Sequence, residues 1–162
     1  MNAAEPKPER RANKRGAARL AAVQALYQMD IAGTGMNDIL AQFESHWLGG
    51  EVDGLEFRPA EAEFFRAVVG GFVAAQARLD PQINAALAKG WPLTRIDAVL
   101  RALLRAAAYE LAERPDIPAR VVVSEYVDVA ASFVGATETG LVNAVLHQLA
   151  HDLRAAEFAG GS

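Results

Sequence analysis

Three arginines near the N-terminus recur every four residues, at Arg11, Arg15 and Arg19. On a helix this spacing places them on one face, and Lys14 lies one turn from Arg11 beside the same row. Guanidinium groups in a row match the successive phosphates of a nucleic acid, in contacts whose affinity falls as salt rises. The sequence therefore predicts a phosphate-binding stripe of these four residues on the first helix. A helix end that is basic only for solubility is the alternative interpretation.

An aromatic residue, Tyr27, lies further along the same predicted helix. Its ring could stack on an unpaired RNA base. Ordinary core packing, with the hydroxyl group at the rim, is an equally good interpretation of this position.

The distribution of charge favours a basic arm on an acidic body. The first 20 residues hold six basic and two acidic side chains, for a net charge of +4. The rest of the chain holds 10 basic and 18 acidic side chains, for a net charge of −8. Such asymmetry along a chain is typical of proteins whose basic segment binds a polyanion.

The histidines make a weak metal site. His147 and His151 are four residues apart and would share a helix face, but Gln148 replaces the glutamate of a zinc-protease helix. His46 is the only other histidine and the chain has no cysteine, so the sequence predicts no bound metal and no cofactor.

Carboxylates occur in two groups that could do acid–base chemistry, Glu110 with Glu113 and Glu125 with Asp128. We interpret them as the solvated faces of helices. Glu125 follows an apolar run and is expected to be partly buried, as a hydrogen-bond acceptor between helices. No phosphate-binding glycine loop and no nucleophile elbow are present, so we predict that the chain is not an enzyme.

Composition limits the class of protein further. Apolar residues make up 52% of the chain, which is enough for a real core. No apolar run is long enough to span a bilayer, and the first residues lack the apolar core of a secretion signal. These features favour a soluble cytoplasmic protein.

The elements that must position these residues are all helices. Apolar spacing predicts an all-α fold of about seven helices in two small packed bundles, with no sheet. Gly70-Gly71 inside the third helix is expected to permit a close helix crossing. Predicted helix starts lie at Asn37, Pro59, Asp80-Pro81, Thr94, Pro118 and Thr137, and the first helix ends at Gly33. The predicted domain covers residues 10–157, in subdomains 10–90 and 94–157, between flexible tails 1–9 and 158–162.

Three segments carry a family resemblance, in order and with compatible spacing over most of residues 10–150. They are the basic N-terminus leading into AVQALY at 22–27; RID at 95–97, LR at 104–105, YEL at 109–111 and DIP at 116–118; and VVVSEYVDVAASF at 121–133 with LVNAVL at 141–146. On these segments the chain resembles the NusB family of bacterial transcription antitermination factors.

The resemblance implies a non-catalytic, all-helical protein that pairs with NusE, a small-subunit ribosomal protein. The pair would bind a single-stranded boxA element in nascent ribosomal RNA and join an RNA polymerase complex that reads through terminators. Some members of the family also form homodimers. By this resemblance the RNA face includes Arg11, Lys14, Arg15, Arg19 and Tyr27. The partner face draws on the long helix around Arg101 and Arg105.

The sequence departs from the family pattern at five positions, one of which is Ala144 in place of a glycine. Gly140 and Leu141 replace a basic residue and a phenylalanine at the start of the last helix, which removes two side chains that could hold RNA. Ser124 replaces an asparagine. Leu100 replaces a carboxylate in the long helix, which is expected to alter the partner contact.

Two other functions remain open. NusB-like domains also occur at the N-terminus of ribosomal RNA cytosine methyltransferases, although this chain carries no cofactor-binding βαβ unit. A helical protein-interaction module whose basic tail binds no RNA is the second alternative.

Overall fold

Helices form almost all of the chain that the structure describes. The computed structural model describes residues 8–48, 59–87 and 92–159, with the side chains of 15–45, 61–87 and 92–158. These residues contain no β-strand, and the predicted all-α class is confirmed. The helices are α1 (Pro8–Ala32), α2 (Met36–Leu48), α3 (Pro59–Ala86), α4 (Ala98–Glu113), α5 (Ala119–Ala131), α6 (Ala136–Leu153) and α7 (Ala155–Ala159), with a 3₁₀ turn at Leu93–Arg95.

The predicted helix start at Asp80-Pro81 is wrong, because α3 continues through this dipeptide. Proline has no N–H to donate, so Pro81 leaves one carbonyl of the preceding turn without its helical hydrogen bond. Complete burial of Leu79 and Ile83 offsets that cost. Asp80, expected to cap a new helix, instead accepts two hydrogen bonds from Arg105 on α4. The end predicted near Gly90 lies outside the described residues.

The predicted helix starts at Pro59 and Pro118 are confirmed, because α3 begins at Pro59 and Pro118 is the N-cap residue of α5.

The other three predicted helix starts are displaced by a few residues. Asp97, rather than Thr94, caps α4, and its carboxylate accepts a hydrogen bond from the backbone N–H of Val99 at 2.8 Å. The expected caps Asn37 and Thr137 lie inside the first turns of α2 and α6. Sequence patterns locate these helices well but do not show which polar residue leaves the helical conformation.

The central element is α4, which packs against α1, α3, α5 and α6. One continuous cluster of buried apolar side chains runs through α1 to α6 and includes residues of both predicted subdomains. The division into subdomains 10–90 and 94–157 therefore stays a prediction.

Gly71 allows α3 to approach α4 closely, because a Cβ there would lie 2.1 Å from Cε1 of Tyr109. The predicted close crossing is therefore confirmed. Gly33 ends α1 with φ of 67°, as expected of a glycine after a helix.

No helix within the described residues has both the length and the apolar character that crossing a membrane requires.

Candidate nucleic-acid interface

Arg19 is buried rather than exposed on a stripe. Only 2% of its surface is accessible. Its Nε and Nη2 donate hydrogen bonds to the two carboxylate oxygens of Glu110, each at 2.9 Å, and the hydroxyl of Tyr126 donates to the same carboxylate. The prediction that Arg19 contacts RNA phosphate is wrong, because its guanidinium group is already bound inside the protein.

A second prediction, that Glu110 belongs to a solvated helix face, is also wrong. Its side chain is fully buried. Together, Arg19, Glu110 and Tyr126 join α1, α4 and α5 across the core. We call these three residues the buried triad.

The spacing of the apolar residues could have predicted that Arg19 and Glu110 are buried. Arg19 lies three and four residues before Ala22 and Val23, which both face the core. Glu110 likewise lies three residues after the buried Ala107 on α4. Opposite charges in register with two apolar faces point to a buried ion pair, since side chains three or four residues apart share a helix face.

Burial and contacts within the buried triad determine the pKa shifts of Arg19 and Tyr126. Burial opposes the charge on Arg19, but the hydrogen bonds and negative charge of Glu110 outweigh it and raise the pKa of Arg19. Burial, reinforced by the charge of Glu110, raises the pKa of Tyr126, so its phenol remains a hydrogen-bond donor. The buried triad therefore contains a cation, an anion and a neutral donor.

Glu125 is partly buried, as expected. Its carboxylate lies 3.9 Å from Nη1 of Arg19 on another helix, which is an ion-pair distance and too long for a hydrogen bond. Burial raises the pKa of Glu125, and the charge of Arg19 opposes that shift.

Arg15 is exposed, and its side chain is the first one of α1 that the structure describes. Its guanidinium carbon lies 4.9 Å from the ring centre of Phe64 on α3, and that of Arg19 lies 5.1 Å from the same ring. The predicted shared face of Arg15 and Arg19 is therefore confirmed. Within the described side chains Arg15 forms no ion pair. Arg11 and Lys14 lie on the first turns of α1, and their side chains are outside the described part.

A third arginine, Arg114, borders Phe64 from the end of α4, at 5.2 Å from the ring centre. Its Nε and Nη2 donate hydrogen bonds to the two carboxylate oxygens of Asp116, at 3.0 and 3.1 Å. These hydrogen bonds are the main reason that the pKa of Asp116 lies below its usual range. Sequence reasoning did not single out this arginine.

Arg154, at the end of α6, fixes the C-terminal end of α4. Its guanidinium donates to the backbone carbonyls of Glu110 at 3.1 Å and Arg114 at 2.7 Å. Cations stabilise helix C-termini, where carbonyl groups lack helical partners. Glu157 pairs with Arg154 and accepts a hydrogen bond from the N–H of Ala119 at 2.9 Å, so α7 also caps α5.

Tyr27 is not adjacent to Arg15. It is half-buried against the core. Twelve residues separate the two on α1, which corresponds to about 18 Å along the axis and about a third of a turn around it. One RNA strand would have to follow α1 to touch both residues.

The two arginines expected at the partner face bind other parts of the chain. Arg101 donates to Asp30 at 2.7 Å and to carbonyl groups around the 3₁₀ turn. Arg105 binds Asp80 through two hydrogen bonds, at 3.0 and 2.8 Å. Their side chains remain 16% and 14% exposed. Asp30 and Arg105 border an open cleft of 290 Å³ that Leu26 and Phe72 also line.

The departures from the family pattern fall in different environments. Gly140 is exposed, and a Cβ there would meet nothing within 4 Å. Ser124 is exposed and Leu141 is half-buried. Leu100 is 4% exposed and packs in the core, and the expected change in partner contact stays a prediction.

His147 and His151 are both exposed on α6. The ring of His151 stacks on Phe158, with the ring centres 4.1 Å apart. No cluster of three or more metal-ligating side chains occurs among the described residues.

Comparison with known sequences gives one consistent family. The profile described as the NusB family matches residues 16–151. "Transcription antitermination protein NusB" of Rhodopseudomonas palustris (strain BisB18) is 66% identical over 99% of this chain and 95% of its own length. The protein of the same name from Nitrobacter hamburgensis (strain DSM 10229 / NCIMB 13809 / X14) is 66% identical over 93% of this chain and 94% of its own length.

Solved structures show the same fold. A structure of T. maritima NusB superposes with a TM-score of 0.75 at 25% identity, covering 90% of this chain and 96% of that chain. A structure described as antitermination factors NusB and NusE in complex with dsRNA superposes with a TM-score of 0.67 at 22% identity. It covers 86% of this chain and 98% of the matched chain.

Proposed function

Because the chain belongs to the NusB family of transcription antitermination factors, we propose that it binds a boxA-like single-stranded RNA element together with a NusE-type ribosomal protein. The RNA would be a nascent ribosomal transcript in the cytoplasm, and the complex would join RNA polymerase and keep it processive. The observation that carries the proposal is 66% identity to a named antitermination protein over 99% of the chain. Family membership also confirms the prediction that the chain is not an enzyme.

The proposed RNA surface begins at the N-terminal end of α1. Arg11, Lys14 and Arg15 are the proposed phosphate contacts, because they precede Ala18, the first described residue of α1 that is buried in the core. Tyr27 is proposed as a stacking platform further along α1, where its half-buried ring borders the surface. Arg19 takes no direct part and instead anchors α1 to α4.

The proposed partner surface lies around Arg101, Arg105 and the cleft beside them. Together the two arginines hold the end of α1 and the C-terminal part of α3 against α4, so they would shape this surface more than donate to a partner. The exposed Ile31, which is 58% accessible, lies near the cleft at the end of α1 and supplies apolar area for a protein contact.

A binding experiment tests the proposed function. Fluorescence anisotropy would follow a labelled boxA-like RNA and a scrambled RNA of equal composition, each with this chain, a NusE-type protein, or both. We expect the pair to bind boxA-like RNA more tightly than either protein alone and more tightly than the scrambled RNA. If adding this chain never improves on the partner alone across a salt series, the helical-module interpretation replaces the proposal.

A further inference from the structure

Three guanidinium groups surround the ring of Phe64, and they differ in how their charge is balanced. Arg15, Arg19 and Arg114 lie 4.9, 5.1 and 5.2 Å from its centre. Arg19 is neutralised in the core by Glu110. Arg114 is neutralised at the surface by Asp116. Arg15 has no carboxylate partner among the described side chains.

The two carboxylates are not equally replaceable. Glu110 is fully buried, so no external anion can take its place. The side chain of Asp116 is 56% exposed and that of Arg114 is 23% exposed, so solvent and solutes reach this pair. Arg114 chiefly, with a smaller contribution from the charge of Arg15, holds the pKa of Asp116 below its usual range. Protonation near neutral pH therefore does not release Arg114, whereas an external anion has access to the pair.

Contacts with two other residues already hold Arg114 in place. Its backbone carbonyl is held by Arg154, and its guanidinium lies over the ring of Phe64. The planar fork that binds both oxygens of Asp116 also matches two oxygens of a phosphate. Arg15 and Arg114 flank one ring, so their guanidinium carbons lie within about 10 Å of each other.

We propose that Arg114 and Arg15 form a phosphodiester subsite of the RNA surface, and that the Asp116 carboxylate occupies this subsite in the free protein. An RNA phosphate would displace Asp116 from the fork of Arg114. This inference rests on the proposed RNA-binding function. In this arrangement Asp116 competes with external anions for Arg114. A polyanion that binds weakly would not displace the carboxylate.

A double-mutant cycle tests the proposal in the full chain with its NusE-type partner. Asp116→Asn, Arg114→Gln and the double variant would be titrated with boxA-like RNA at several salt concentrations. Asp116→Asn is expected to tighten binding about fivefold at low salt, and Arg114→Gln to weaken it about fivefold. In the Arg114→Gln background, Asp116→Asn should lose this gain, because the two residues act on one phosphate.

The matched control is Asp152→Asn, which removes one exposed carboxylate on α6 whose described hydrogen-bond donor is Gln148. Equal tightening by Asp152→Asn would mean a general charge effect and would overturn the inference. Weaker RNA binding by Asp116→Asn would show that Asp116 orients Arg114, and would also overturn it. If the native chain binds RNA and Asp116→Asn does not tighten that binding, the inference alone fails. If the native pair binds no RNA, the proposed function fails as well.

Discussion

Glu110→Gln is expected to lower the free energy of unfolding by about 3–5 kcal/mol. Glutamine keeps the shape of the side chain but removes its charge, and Arg19 is only 2% exposed. The substitution therefore leaves a buried guanidinium without a charged partner, except for Glu125 at 3.9 Å. It also weakens the hydrogen bond from Tyr126. Urea denaturation of both proteins, with the same slope against denaturant, gives the difference directly.

Two comparisons make this prediction specific. Arg66→Gln breaks an ion pair with Glu44 in which the two side chains are 44% and 27% exposed, and should cost no more than about 1 kcal/mol. The triple variant Arg19→Met, Glu110→Leu, Tyr126→Phe should recover most of the stability lost in Glu110→Gln, because apolar residues of similar volume often replace buried ion pairs without loss. Equal effects of Glu110→Gln and Arg66→Gln would contradict the assignment of the buried triad as a stabilising contact.

Gly71→Ala has the second largest expected effect, a loss of about 2–3 kcal/mol in the free energy of unfolding. The added Cβ would lie 2.1 Å from the ring of Tyr109, which is only 9% exposed and packed between helices. Alanine favours helix over glycine by up to about 1 kcal/mol, so the clash must exceed that gain for the prediction to hold. Thermal and urea denaturation measure the balance.

The adjacent glycine is a matched control. A Cβ at Gly70 would lie 3.8 Å from Sδ of Met36, an ordinary contact. Gly70→Ala is therefore expected to leave stability unchanged or to raise it by up to about 1 kcal/mol through helix propensity. If both alanine variants have the same stability, the close crossing of α3 and α4 does not constrain this position.

Apolar periodicity was sufficient to predict helices α1 to α6, because a stripe of apolar residues and its spacing are local properties of the sequence. It did not predict the short α7 (Ala155–Ala159). The continuous α3 shows the limit of such local information. Asp80-Pro81 carries a local signal for a helix start, but burial of Leu79 and Ile83 and the contact of Asp80 with Arg105 are tertiary interactions. Such interactions outweigh a weak local preference.

The candidate site shows the same division between local and tertiary information. Four-residue spacing correctly placed Arg15 and Arg19 on one face, yet spacing alone does not show where that face enters the core. The apolar register of Val23 and of Ala107 would have indicated the burial of Arg19 and Glu110. Arg114 and Asp116 had no such signal, because their significance depends on Phe64, a residue 50 positions away in the chain from Arg114.

The proposed division of α1 into an RNA-binding end and a core-anchoring end is tested most directly by Arg15→Gln. The measurement is the affinity for boxA-like RNA, with the NusE-type partner present, across a salt series. Arg15→Gln is expected to weaken binding about fivefold at low salt and to reduce the slope of log affinity against log salt by about 0.7, the value for one phosphate contact on a single strand. Its free energy of unfolding should change by no more than about 1 kcal/mol, since only an exposed contact with Phe64 is lost. An unchanged affinity and an unchanged salt slope would contradict the account.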